Sequence, residues 1–478
     1  MHWIDITIFI VYLFAMLGVG FFYYRKNTSI DDYFVGGRKI GSFHIGLSVV
    51  ATDVGGGFSI GLGGLGFTMG LSGSWMLFTG LIGAWLSALF LIPKISHLSR
   101  KVNLFTLPQV FKSFYGAQTA LLAAIISVIG YVGFTSSQIL AGAKLASASF
   151  EAFSFNKVLI VMGVLTVLYT AIGGLKAVIF TDTIQWIILM GGLMFIGIPV
   201  AYYKIGGYEV IKSTLAPEFL SFRNITWQTF VNWAITIVPI WFVGMTLYQR
   251  IFASRNEKEA KKAWFIAGIF EWPIMALLGV VLGMFSRVAL EQGMLNDGTL
   301  IDAELGLPLL LKNVLPIGIV GLLMSAYFSA IMSTADSCLM AASGNIVTDL
   351  IGKFAALSEK SILRLSQITT LIAGSVAIYI AMQMQNVLEL MLLSYSFMVS
   401  GLFIPIIGAL FWKRSSPVGA FTSMLCGGLV TSVLIIKKVP LPMGLDPNFY
   451  GILTSLILFV LLSYIFPRKP SQLYVQSI

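Results

Sequence analysis

Asp53 stands in the stretch Ala51-Thr52-Asp53-Val54-Gly55-Gly56-Gly57-Phe58-Ser59-Ile60-Gly61, inside a run apolar enough to cross a bilayer. A carboxylate at mid-helix costs at least about 2.5–3.5 kcal/mol on insertion scales, so it must face a cation, hydrogen-bond donors or water. The glycines after it, continued at positions 63, 64, 66, 70 and 73, spoil a regular helix. In hydrocarbon, irregular backbone persists only where protein or a wet cavity satisfies it. The stretch therefore reads as a broken helix lining a polar site. Its freed carbonyls suit a small cation, and its freed N–H groups suit an anionic group of a solute. The competing reading is a glycine-rich helix packed closely on its neighbours.

A second oxygen-rich stretch runs from Ser325 to Ser337. Within it Ser329, Ser333, Asp336 and Ser337 recur at helical spacing and share a face. Hydroxyls aligned with a carboxylate are hard ligands for a hard cation such as Na+. Against this, Ser and Thr often bond only the carbonyl of the preceding turn. A third acid, Asp182, follows Gly173-Gly174-Leu175-Lys176-Ala177-Val178-Ile179-Phe180-Thr181, and a helix N-cap alone would explain it.

Other polar groups fall deep in apolar runs: Thr135, Ser136, Ser137 and Gln138; Asn232 and Thr236; Ser394 and Tyr395. Trp233, Trp241, Phe242 and Tyr248 offer aromatic cavity walls, or else packing and interfacial anchors. Glu271, before Trp272-Pro273, and Glu389 fit structural pairing, a vestibule or ion access, and neither is a leading site residue. His2, His44 and His97 lack metal-ligand spacing, and Cys338 with Cys426 offers no disulfide framework. No nucleophile, base and orienter stand in a recognisable arrangement, and there is no phosphate-cradling loop. The chain does not read as an enzyme or an ATP-driven pump.

The elements that must position these groups are membrane helices. The chain of 478 residues is 57% hydrophobic and only 10% charged, where soluble domains carry about 25% charge. Apolar windows give thirteen candidate spans, at 4–24, 44–67, 72–93, 118–144, 157–180, 183–203, 228–248, 263–286, 314–346, 364–380, 386–410, 417–436 and 448–466. The first reads as a retained span, since no basic leader or small-residue cleavage site marks it for removal. No connection is large enough for a separate domain, so residues 1–478 read as one membrane domain. The residues Leu305 to Leu311 suit a lid lying along the interface, and Arg250 to Lys262 reads as a charged inner connection.

An odd number of spans puts the termini on opposite sides. The side reached after the first span carries 21 of the 30 Lys and Arg, which makes it cytoplasmic, with the N-terminus outside and the C-terminus inside. The net charge of +10 is then mostly topology, and nucleic acid drops out as a partner.

Five motifs in order carry a resemblance to the sodium:solute symporter family over nearly the whole chain. They are Asp31-Asp32-Tyr33-Phe34-Val35-Gly36-Gly37-Arg38, Ala51 to Gly57, Gly173 to Asp182, Tyr248-Gln249-Arg250, and Ser333-Thr334-Ala335-Asp336-Ser337. The resemblance implies an all-α integral membrane fold in the plasma membrane, with an inverted pair of five-helix repeats at 44–203 and 228–410. Residues 1–24 would form a peripheral first helix and 417–466 two peripheral C-terminal helices. It also implies a principal Na+ site from the carbonyls of Ala51, Val54 and Ala330 and the hydroxyls of Ser333 and Thr334. A second Na+ site, present in some members, would use Asp182, Ser333, Asp336 and Ser337. Gly55 stands where several relatives have serine, so a side-chain contribution is missing here.

The solute cavity of such proteins looks like the space that Asp53, Gln138, Trp241, Phe242 and Tyr395 would line here. An Asp beside the solute favours an ammonium-bearing or zwitterionic molecule, and aromatic faces stabilise a cationic nitrogen. The expectation is Na+-coupled import of a small organic solute by alternating access, with an amino acid such as proline preferred. The Ala51 to Gly57 run also resembles choline-carrying branches, although Asp53 departs from the tryptophan familiar there. Choline or betaine, a sugar and a carboxylate remain alternatives, as do a passive pore and a membrane sensor or scaffold. Oligomeric state is left open.

Overall fold

The computed structural model describes residues 2–26, 35–53, 55–149, 154–172, 175–295, 302–352 and 358–467. These are helical nearly throughout; strand-like pairing among them is limited to one isolated bridge, Ile40 with Ser254. In chain order the helices are α1 (Trp3–Lys26), α2 (Ser42–Asp53), α3 (Gly55–Met69), α4 (Trp75–Val102), α5 (Leu107–Tyr115), α6 (Ala117–Ser149) and α7 (Phe155–Ile172). They continue with α8 (Leu175–Gly192), α9 (Ile198–Lys204), α10 (Gly207–Thr214), α11 (Trp227–Val243), α12 (Met245–Ala253), α13 (Glu257–Ile269) and α14 (Ala276–Glu291). The last are α15 (Ala303–Val314), α16 (Ile319–Gly344), α17 (Glu359–Gln383), α18 (Val387–Phe411), α19 (Pro417–Lys437) and α20 (Pro447–Ile465).

Among the described residues, nine helical stretches are long and apolar enough to cross a membrane, or ten when bent α11 and α12 count as one. The protein is thus an all-helical, multi-pass membrane protein. Helix ends follow local chemistry. Thr106 caps α5 by accepting from the Gln109 N–H, with Pro108 in the first turn, and Asn256 caps α13 by accepting from the Glu259 N–H. Glu257 pairs with Lys261 one turn on at 2.8 Å, on a half-exposed face.

Two breaks shape the centre. The α2 helix ends at Asp53 and α3 starts at Gly55, whose φ of +54° lies in the left-handed region. The second break is at Gly244, where α11 and α12 bend by 43°. Helix α6 packs on α16, α18 and α3, and α16 also touches α2 and α8, so both oxygen-rich stretches meet in the middle. Helices α19 and α20 pack on each other and on α18, and α1 lies against α16.

Two expectations change. Arg250 is not in a solvated connection but completely buried on α12. The Leu305 to Leu311 segment does not lie along an interface: as part of α15 it packs on α3, α14 and α6, with Leu307, Leu310 and Leu311 almost fully buried. The apolar residues that suggested membrane contact are used against protein instead.

Candidate sodium and solute site

Thr334 ties the two central stretches together. Its Oγ1 lies 2.9 Å from the Ala51 carbonyl oxygen and 3.0 Å from that of Ala330. The Ala51 carbonyl comes from the last turn of α2, beside the break, where the regular helical ladder ends. The hydroxyl has one proton for two acceptors, so three neutral hard oxygens converge with lone pairs to spare. That donor set fits Na+. A Cβ on Gly55 would meet Thr334 Oγ1 at 2.9 Å and Gln138 Oε1 at 3.2 Å, which leaves no room for the serine of the relatives without a shift. Val54 lies outside the described residues, as do Asp31 to Phe34, Gly173 and Gly174.

Ser333 turns elsewhere: its hydroxyl donates to Asp182 Oδ1. Ser48 donates to Asp182 Oδ2 at 2.5 Å, and Arg250 Nη2 stands 3.8 Å from the same oxygen. Arg250 Nη2 also donates to Thr52 Oγ1 at 2.7 Å and to Ser337 Oγ at 2.8 Å. Asp182 thus sits inside α8 and anchors a buried network across α2, α12 and α16, which replaces the N-cap explanation. Asp336 accepts from Thr170 of α7, and its Oδ2 has no hydrogen-bond partner among the described residues. Of the second candidate set, Asp182, Ser333 and Ser337 therefore share one network through Arg250. Asp336 points to another helix.

On the solute side, Asp53 is buried, and the Tyr395 hydroxyl lies 3.5 Å from both its carbonyl oxygen and its Oδ1. Phe134 holds the Tyr395 ring edge to face at 4.9 Å. Gln138 reaches the Gly55 break and sets its Nε2 3.3 Å from Ser137 Oγ. Asp53, Gln138 and Tyr395 therefore converge. Trp241 instead nests over Gly83 of α4, with Trp264 at 6.3 Å, and Phe242 packs on Phe403 at 5.9 Å. Tyr248 donates to the Phe242 carbonyl at 2.9 Å, while Asn232 and Thr236 bond the loop and helix around Gly444 and Asn448. Thr135, Ser136, Ser137 and Ser394 all bond carbonyls of their own preceding turns.

Three charged residues outside the expected set belong to this neighbourhood. Glu271 is completely buried with its carboxylate against that of Asp53. Arg250 was visible as the end of Tyr248-Gln249-Arg250, a charge closing an apolar run. Lys144 of α6 donates to Asp302 and, at 2.7 Å, to Glu304 of α15; Glu304 also accepts the first N–H groups of α18, from Val387 at 2.9 Å and Leu388 at 3.0 Å. Asp302, Glu304, Leu388 and Glu389 line a cavity of about 500 Å³ that reaches Gly61 and Gly64 of α3.

The profile of the sodium:solute symporter family matches residues 33–427. The high-affinity proline transporter of Bacillus subtilis (strain 168) is 31% identical over 96% of this chain and 97% of its own length. The sodium/proline symporter of Escherichia coli (strain K12) is 30% identical, over 89% of this chain and 86% of its own. Among solved structures, a Na+-coupled sialic acid symporter in a substrate-bound outward-open state superposes with a TM-score of 0.80 at 22% identity, covering 98% of this chain and 99% of that one. With its fold, its oxygen cluster and its match over most of its length, the chain belongs to the sodium:solute symporter family, a transporter that couples a small solute to Na+.

Proposed function

We propose that this symporter imports L-proline, or a zwitterion of similar size, with Na+ across the plasma membrane. The observation that carries the solute class is Asp53, a buried carboxylate beside the Thr334 oxygen cluster with Tyr395 against it. Such a group favours a ligand with a cationic nitrogen and disfavours a simple anion. The proline specificity of two similar proteins supports the same choice.

In this reading Na+ enters from outside to the carbonyls of Ala51, Val54 and Ala330 and the hydroxyl of Thr334, while the Ser333 hydroxyl serves through its bond to Asp182. The ion bridges α2 and α16 and raises solute affinity at Asp53, Gln138 and Tyr395, whereas Trp241 and Phe242 pack away from these three on Gly83 and Phe403. Asp182, Ser333 and Ser337 make a second, weaker Na+ site, weaker because Arg250 already opposes the Asp182 charge, and Asp336 joins it only by leaving Thr170. Thirteen spans, inverted repeats at 44–203 and 228–410, peripheral helices at 1–24 and 417–466, and an outside N-terminus with an inside C-terminus complete the proposal. The breaks at Gly55 and Gly244 support the repeats, since each falls in the first span of its unit.

Inward movement of Na+ through ~100 mV supplies about 2.3 kcal/mol per charge, before its concentration gradient is added. The test is uptake of radiolabelled L-proline into proteoliposomes with an imposed inward Na+ gradient. Accumulation that collapses when K+ replaces Na+ is expected. Uptake of proline indifferent to Na+, or none while choline or a sugar accumulates, overturns the solute assignment.

A further inference from the structure

Glu271 is 0% exposed, and neither of its carboxylate oxygens accepts from an N–H or hydroxyl group among the described residues. The charged group against it is another carboxylate, Asp53. Its position is built. Glu271 sits in the π-helical segment Phe270–Met275 between α13 and α14, where Trp272 takes the extended values φ −137° and ψ 125°. Gly80 of α4 clears the space, since a Cβ there would lie 1.9 Å from Glu271 Oε2. Two carboxylates in contact in a dry interior do not both stay ionised unaided: they share a proton or hold a cation between them. The buried protein cations of the neighbourhood are engaged elsewhere, Arg250 at Asp182 and Lys144 at Asp302 and Glu304. A positive charge to replace that shared proton therefore has to come from outside the chain.

We propose that Asp53 and Glu271 together form a two-carboxylate cradle for one monovalent cation, either the ammonium nitrogen of the solute or Na+. The ammonium arm rests on the solute reading above; the Na+ arm does not. The cradle makes Glu271 a specificity residue that the sodium and solute motifs do not contain.

The experiment measures binding of radioactive Na+ without solute, and of L-proline at saturating Na+, on detergent-purified wild-type, Glu271→Gln and Gly80→Ala proteins. The glycine variant keeps the charge but pushes it out of position, which covers the case in which Glu271→Gln does not fold. If the cradle takes the solute nitrogen, both variants raise the proline Kd by about tenfold or more and leave Na+ half-saturation unchanged. If it takes Na+, half-saturation by Na+ alone rises by a similar factor. Either result supports the cradle and names its source. Wild-type protein that binds no proline sinks the proline reading alone; Na+, choline and glycine betaine then serve as the cationic probes. Variants that bind Na+ and every bound probe like wild type overturn the cradle.

Discussion

Arg250 holds its Nη2 3.8 Å from Asp182 Oδ2 with both side chains fully buried, and so links α12 to α8 through the floor of the candidate ion site. Removing one partner of such a pair leaves an uncompensated charge and typically costs about 3–5 kcal/mol. Arg250→Gln is therefore expected to lower the thermal unfolding midpoint in detergent sharply. Asp182→Asn added to it should restore part of the loss, because the stranded carboxylate goes with it. A double-mutant cycle gives the coupling; additive losses would show that the two charges do not act as a pair.

Thr334 makes a separate forecast. Its hydroxyl is shared between the Ala51 and Ala330 carbonyls, whereas the Ser333 hydroxyl is committed to Asp182. Thr334→Ala should raise half-saturating Na+ for uptake by about tenfold, the scale of one lost ligand to a charge. Thr334→Ser, which keeps the oxygen, should stay near wild type. Ser333→Ala should act mainly through the Asp182 network, with a smaller change in Na+ dependence and a lower unfolding midpoint. Equal Na+ shifts in both single variants would put the two hydroxyls on one ion and remove this distinction.

Glu304 caps α18 while holding Lys144, and it lines the cavity that reaches α3. Glu304→Ala strands two N–H groups and leaves the buried Lys144 ammonium with Asp302 alone, and a stability loss of roughly 1–3 kcal/mol for each unsatisfied group is the expected scale. Glu304→Gln keeps an oxygen for the N–H groups and loses only the charge. The expected order of unfolding midpoints is wild type, then Gln, then Ala. Gln and Ala variants with equal midpoints would show that the cap contributes nothing beyond the ion pair.

The legible parts of this protein were those that break a local rule. Glycine beside Asp53 in an apolar run, and an acid among hydroxyls at Asp336, stand out because hydrocarbon tolerates neither without a partner. Family membership and Na+ coupling followed from these motifs and are borne out. Glu271 was seen but not placed, because its direction depends on the extended backbone at Trp272 and on space left by Gly80, 191 residues earlier in the chain. The link from Lys144 to Glu304 spans 160 positions and leaves no periodic trace. Arg250 enters the count of cytoplasmic charges although it is fully buried, since a buried guanidinium is indistinguishable in sequence from one in a loop.

Gly55 offers the sharpest test of the site as a piece of geometry. Its φ of +54° is left-handed, where a side chain costs roughly 1–2 kcal/mol. Its missing Cβ also leaves the 2.9 Å gap occupied by Thr334 Oγ1. Gly55→Ala should therefore do two things at once: lower the unfolding midpoint, and push the Thr334 hydroxyl off the Ala51 carbonyl. The second effect makes it mimic Thr334→Ala in Na+ dependence. Because both substitutions then act on one oxygen, the double variant should shift half-saturating Na+ little further than Thr334→Ala alone, while two independent sites would give the product of the single shifts. Uptake kinetics across a Na+ series on the four proteins decides it: a multiplicative shift in the double variant would detach Gly55 from the Na+ site and leave its glycine explained by backbone strain alone.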